Sequence, residues 1–268
     1  MYIKQTHSTS TLLREQYSDA LPHLCTIRTD YQTAGRGQAG NSWESEAGKT
    51  LLYSSLLRYE GLLVTEQWRI SMLVALAWWD TLAKYVSADQ LTIKWPNDIY
   101  YGDKKLAGIL IENSLLGMQI GYSIVGVGVN VNQTEWKSDA PNPISMAQAM
   151  GKTYDIEGLL EEWLISIKLW EKRPTEEIKV AYMQHLYRRE GWHMYLEREV
   201  STVPTAIAKT GVEGAFLAEV VNVTEQGELL LRLQNNEEKK YTSTCADVGV
   251  PSSAVAPPNK ISTDPNVS

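Results

Sequence analysis

Two runs rich in β-branched residues, KLAGILIEN at 105–113 and QIGYSIVGVGVNVN at 119–132, are separated only by residues 114–118, with Gly117 in the gap. Strands joined by so short a segment return antiparallel, because a parallel return needs a crossover of a dozen or more residues. The chain is therefore committed to a mixed or antiparallel sheet. Further strands read at 24–31 (LCTIRTDY) and 50–57 (TLLYSSLL), and at 91–96 (LTIKWP), where Pro96 stops the run and Asn97-Asp98 marks a turn.

Helical spacing sets the other layer. Ser8, Thr9 and Ser10 offer capping hydroxyls before Leu12, Leu13 and Tyr17. From Thr65 to Val86, the residues Trp68, Met72, Ala75, Leu76, Trp79, Leu82 and Val86 recur on one helix face. Asp155 caps a helix facing inward through Ile156, Leu159, Leu160, Trp163, Ile167 and Trp170, and Pro174 separates it from another at 175–188. These helices are expected to cover one face of the sheet, giving an α+β fold.

The pattern changes near residue 190. HMYLEREV, GAFLAEVVNV, GELLLRL and KKYTS are short strands, with turn chemistry at Gly211 to Gly214 and at Glu225-Gln226-Gly227, which predicts a small β-barrel. From Pro251 the chain has Pro, Ser and Asn without apolar periodicity and reads as a disordered tail. The expected division is 1–188, 189–250 and 251–268.

Charge and cysteine content narrow the function. A net charge of −7 argues against a protein that binds nucleic acid by bulk attraction to phosphate. Cys25 and Cys245 are the only cysteines and neither lies in metal-ligand spacing, so neither a disulfide framework nor a metal site is expected. The N-terminus has no apolar signal region and no stretch is long enough to span a membrane, which predicts a cytoplasmic protein. Nine Trp and fourteen Tyr against one Phe favour aromatic rings with a polar handle.

Residues 35–40, GRGQAG, have the spacing of a dinucleotide-binding turn, and Gly48-Lys49-Thr50 has the ending of a P-loop. Both motifs need a helix directly afterwards, and here the chain enters a strand. Trp43 also stands where the P-loop needs its first glycine. What remains is Arg36 between two glycines. It reads equally well as a carboxylate or phosphate site or as a flexible hairpin with an exposed cation.

Lys94-Trp95-Pro96-Asn97-Asp98, the stretch KKLAGILIE at 104–112, the GRG loop before them and GVGVNVN after them stand in an order that resembles the biotin protein ligase family over most of residues 1–250. The resemblance implies a class II synthetase-like catalytic unit, an SH3-like C-terminal barrel and a two-step reaction. Biotin and ATP, with Mg²⁺, give biotinyl-5′-adenylate, and a lysine of a biotin carboxyl carrier domain then takes the biotinyl group. It implies that Lys105 and Arg36 are catalytic. Ser8, Thr9, Ser10, Gln32, Gly35, Arg36, Gly37, Gln38, Trp43, Lys105 and Gly108 would hold biotin; Arg36, Lys94, Asp98, Lys105 and Asn130 would hold ATP. Asp98 would orient the acceptor lysine or assist Mg²⁺. A lipoate protein ligase on the same scaffold and a non-catalytic biotin sensor are the competing readings, and a homodimer is compatible.

The chain departs from the family pattern at Ser10, where Asn is usual, and at Gln38, Ala39 and Asn41, where further basic residues are common. Fewer cations then surround the phosphates, with Lys49, Lys104 or the barrel as compensation. No helix-turn-helix precedes the catalytic stretch, so the monofunctional type without DNA binding is expected.

Overall fold

Seven strands form the first sheet in the computed structural model, which describes residues 1–38, 41–138, 140, 142–197, 215–242 and 246–247. They are β1 (Tyr2–Thr6), β2 (Thr26–Gln32), β3 (Thr50–Arg58), β4 (Leu91–Lys94), β5 (Asp98–Tyr101), β6 (Lys104–Leu116) and β7 (Gln119–Asn130), in the spatial order β1-β2-β3-β7-β6-β5-β4. Only β1 and β2 pair in parallel, so the sheet is mixed. The β6–β7 hairpin is antiparallel as its short connection demands, and Gly117 supplies the left-handed backbone at its turn, with φ of 61°.

Alternation divides the sheet residues between two faces. Leu51, Tyr53, Leu57, Val125, Val127 and Val129 share a core with helix α2 (Trp68–Leu82), on which α4 (Ile156–Trp170) and α5 (Thr175–Gln184) pack. Ile27, Leu56 and Ile124 face the other way and join Leu13 of the short helix α1 (Thr9–Glu15), capped by Ser8. Burial of α2 runs beyond the expected stripe. Ile70, Leu73, Val74, Ala77 and Trp78 are buried as well, because α2 is enclosed by the sheet and by two further helices. Indole donors find partners inside this layer: Trp78 Nε1 bonds to Tyr53 Oη at 3.0 Å, and Trp79 Nε1 to Leu91 O at 2.8 Å.

The helix expected at 175–188 ends at Gln184. Past it, Ile93 N donates to His185 O at 2.8 Å and Tyr187 N to Ile93 O at 2.9 Å, so the chain trades helical bonds for the open edge of β4. Strands β1 and β5 and helix α3 (Met146–Met150) were not signalled by the periodicity; they are short elements of four or five residues, and β5 begins at Asp98, within the expected turn.

A second, antiparallel sheet takes β8 (Trp192–Glu197), β9 (Ala215–Val223), β10 (Leu229–Leu233), β11 (Glu238–Tyr241) and β12 (Ala246–Asp247) in the order β11-β10-β9-β8-β12. The single Phe of the chain, Phe216, stacks between Tyr195 and Tyr241 at 5.9 and 5.8 Å. This sheet adjoins the first through Gly227, whose carbonyl accepts from Trp95 Nε1 at 3.0 Å and whose α-carbon lies against the Trp68 ring. Buried side chains of both sheets form one continuous cluster. The turn expected at Gly211 to Gly214, Cys245 and the tail from Pro251 lie outside the described residues.

Candidate active site

The face of the first sheet opposite α2 has a floor of glycine. Gly108 of β6 pairs with Gly128 of β7, and Gly126, two residues back, pairs with Ser54 of β3. These positions are bare because something lies directly on them. A Cβ at Gly108 or Gly128 would strike the Trp43 indole, and one at Gly126 would strike Ser10 Oγ.

Trp43 is delivered by the glycine loop. Arg36 and Ser42 form a β-bridge, Gly37 N donates to Asn41 O at 2.7 Å, and Trp43 N donates to Gly35 O at 3.0 Å, so the loop is a tight hairpin. Gly35 is required here, since a Cβ would sit 2.7 Å from Trp43 O. Glu44 fixes the far end by accepting from the backbone N–H groups of Lys137 and Ser138, each at 2.8 Å. Burial pushes the Glu44 carboxyl up, but hydrogen bonding from the Ser138 side chain, then from the Lys137 and Ser138 backbone, outweighs it and leaves it below the usual range. Gln38 is exposed, and Ala39 and Gly40 lie outside the described residues.

Beside the indole runs a row of buried polar groups. Gln32 Oε1 accepts from Thr9 N at 2.7 Å and Thr9 Oγ1 at 3.1 Å; Thr9 Oγ1 and Ser10 Oγ each meet Ser54 Oγ, at 2.8 and 2.9 Å. Ser8, Thr9 and Ser10 had been predicted at this site, and the structure places Thr9, Ser10 and Gln32 in one network, with Ser8 behind them as the helix cap. Ser54 was missed. Its one signal is a polar pair, Ser54-Ser55, between the buried runs Leu51–Tyr53 and Leu56-Leu57.

On the other flank, Lys105 Nζ lies 2.5 Å from Asp98 Oδ2 and 5.7 Å from the centre of the Trp43 ring. The second Asp98 oxygen accepts from Ile109 N at 3.3 Å. Asn130 sits beneath: its amide nitrogen bonds to the carbonyls of Lys105 (3.4 Å) and Ile144 (3.2 Å), and its Oδ1 is buried without a partner. Lys94 Nζ lies 5.1 Å over the Tyr100 ring and bonds to its hydroxyl at 3.2 Å. Arg36 reaches the floor's far edge, where it contacts Glu112 and donates to Thr11 Oγ1 at 3.3 Å; Arg14 Nη2 also reaches Glu112 Oε1, at 2.8 Å. Neither Glu112 nor Arg14 was singled out from sequence.

The geometry defines a recess whose flat backbone floor is covered by the Trp43 indole, with donors and acceptors along one side and cations at both ends. Such a recess suits a compact ring compound bearing a carboxylate. Residues 2–130 match the Biotin/lipoate A/B protein ligase family. The sequence is 28% identical over 243 residues to the bifunctional ligase/repressor BirA of Bacillus subtilis, covering 88% of this chain and 70% of that one. It is 33% identical over 145 residues to the biotin–[acetyl-CoA-carboxylase] ligase of Paracoccus denitrificans, covering 52% and 60%. The fold matches the Aquifex aeolicus biotin protein ligase solved in complex with biotin and ATP, with a TM-score of 0.68, 23% identity, and 91% and 95% of the two chains covered.

Proposed function

We propose that the chain is a biotin protein ligase. It joins biotin to the α-phosphate of ATP, releasing pyrophosphate, and passes the biotinyl group to a lysine of a biotin carboxyl carrier domain, releasing AMP. The observation that carries the reading is the placement of Lys105 at the rim of a glycine floor that the Trp43 indole covers and whose side is lined with buried hydroxyls.

Biotin would lie against the Trp43 indole, which itself covers Gly108 and Gly128. Thr9, Ser10, Gln32 and Ser54 offer its ureido group both donors and acceptors, and Gly35 and Gly37 keep the loop backbone close. A biotin carboxylate oxygen attacking the α-phosphorus brings two anions together. Lys105 and Arg36 offset that repulsion and stabilise the charge that grows as pyrophosphate leaves. Lys94, Asp98 and Asn130 belong to the nucleotide side, with the buried, unpartnered Asn130 Oδ1 available to an adenine amino group. In the second step the acceptor amine attacks the acyl carbon and AMP departs, with Asp98 orienting the incoming lysine.

Among the described residues no three His, Cys, Asp or Glu side chains gather into a metal site, and both Asp98 oxygens are engaged. Mg²⁺ would therefore arrive on the ATP phosphates with at most one carboxylate from the protein.

We take residues 1–188 as the catalytic unit and 189–250 as the barrel, a division that the presence of two separate sheets supports. Exposed Leu115, Leu116 and Met118 at the β6–β7 tip provide an apolar surface for a protein partner, the carrier domain or a second copy. A cytoplasmic location fits this partner. No described helix is long and apolar enough to cross a membrane.

The test is mass spectrometry of a carrier domain after incubation with the protein, biotin and MgATP. Addition of one biotinyl group is expected. Lipoate addition instead would assign the other branch of the family, and no addition with either acid would leave a binding protein without chemistry.

A further inference from the structure

A carboxylate is out of place in a recess that must bring two anions together, yet Glu112 stands at its edge. Two guanidiniums from different parts of the chain converge on the same oxygen of that carboxylate. Arg36 comes from the glycine loop and Arg14 from α1, while Glu112 Oε2 is buried without a partner. Arg36 can leave this arrangement without stranding a charge, because Arg14 stays to neutralise Glu112. The two side chains are similarly exposed, Arg36 at 37% and Arg14 at 43%, but Arg36 is carried by a loop and Arg14 by a helix, so Arg36 is the one with backbone free to follow it.

We infer that Glu112 is a positioning residue that holds Arg36, and with it the 35–43 hairpin, on the sheet in the ligand-free protein, and that Arg14 allows it to surrender Arg36 when an anionic ligand arrives. Glu112 competes with the ligand for Arg36, and Arg14 weakens that competition. The second half rests on the ligase reading above; the first half does not.

The network makes two variants that each remove one end of it act in opposite directions. In Glu112→Gln, Arg36 loses its resting partner. Trypsin should cut after Arg36 in the ligand-free protein about fivefold faster than in wild type, the size expected for a partly exposed ion pair. Release of the adenylate should slow by a similar factor. In Arg14→Gln, Glu112 is left with Arg36 alone, so cleavage after Arg36 should slow and adenylate release should quicken. A merely structural role for the cluster would loosen the loop in both variants. Cleavage at Arg36 that rises in both variants, or changes in neither, would overturn the inference. The cleavage assay uses no ligand, so it stands even where the wild type makes no adenylate, and the sign in Arg14→Gln decides the matter should Glu112→Gln fail to fold.

Discussion

The Lys105 ammonium lies 2.5 Å from the Asp98 carboxylate, so the cation at the rim of the recess is already held over the floor by a neighbour seven residues earlier in the chain. That pair is partly exposed, with side chains 32% and 22% accessible, and contributes no more than about 1 kcal/mol to stability. Replacement of Lys105 by Ala is therefore expected to leave the unfolding temperature nearly unchanged while lowering biotin-dependent ATP–pyrophosphate exchange on the order of 10²-fold or more. Exchange at a near-normal rate would move the catalytic charge elsewhere.

Gly128 lies under the Trp43 indole, and a methyl group there overlaps the ring. Gly128→Ala should push Trp43 off the floor at a cost of about 1–3 kcal/mol, and biotin affinity should fall about tenfold or more. Calorimetric titration with biotin reads this directly. Unaltered affinity would mean that Trp43 is not the wall of the biotin pocket.

Gly227 joins the two sheets with φ of 85°, a backbone state that side chains resist, and with the Trp68 ring against its α-carbon. Gly227→Ala should lose at least about 1 kcal/mol, from strain and overpacking together. Denaturant unfolding of the variant checks this, and an unchanged midpoint would show that the junction relaxes without cost.

The contact between α4 and the residues that follow α2 carries a pH dependence. Glu162 accepts from Lys84 and from the Tyr85 hydroxyl, and these hydrogen bonds hold its carboxyl below the usual range. The same bond to Glu162, followed by burial, pushes Tyr85 up to about 12. A carboxyl lowered on folding stabilises above its unfolded value of 4.5 and loses that contribution as pH falls through the folded value. A phenol raised on folding contributes fully below 10 and loses this as pH rises towards 12. Unfolding free energy measured against pH should therefore fall less steeply at both ends in Glu162→Gln than in wild type. Curves that differ only by a constant offset would refute the linkage.

Gln38 is exposed on the glycine loop. Gln38→Arg would restore a cation near the phosphates and is expected to slow adenylate release several-fold, the size of one partly exposed charge contact. An unchanged release rate in a stopped-flow chase would show that retention does not depend on charge at this position.

Much of this was legible along the chain. Strands β2, β3, β4, β6 and β7 and the helices at 68–82 and 156–170 follow from alternation, periodicity, Gly117 and the Asp155 cap, all of which act between near neighbours. The rejection of a nucleotide-binding turn at GRGQAG also rested on local context, and the structure bears it out: the loop is a hairpin, followed by β3. The all-round burial of α2 was not legible, because it depends on where α4 and α5 come to rest. The early end of α5 depends on the open edge of β4.

The sequence by itself determined which residue types the site has to work with: a lone arginine between glycines, a lysine opening a β-branched strand, and hydroxyls before a helix. Local chemistry suffices for that, since glycine spacing, capping and strand patterning act within a few residues. Only the tertiary structure decided their relations. Strand register stacks Gly108 beside Gly128 so that an indole from residue 43 can lie flat, brings Ser54 to Thr9 and Ser10, and sets Glu112 between arginines 98 and 76 positions away. Such pairings are fixed by which strands share hydrogen bonds and which face each residue takes, and no periodicity in one segment carries that information about another.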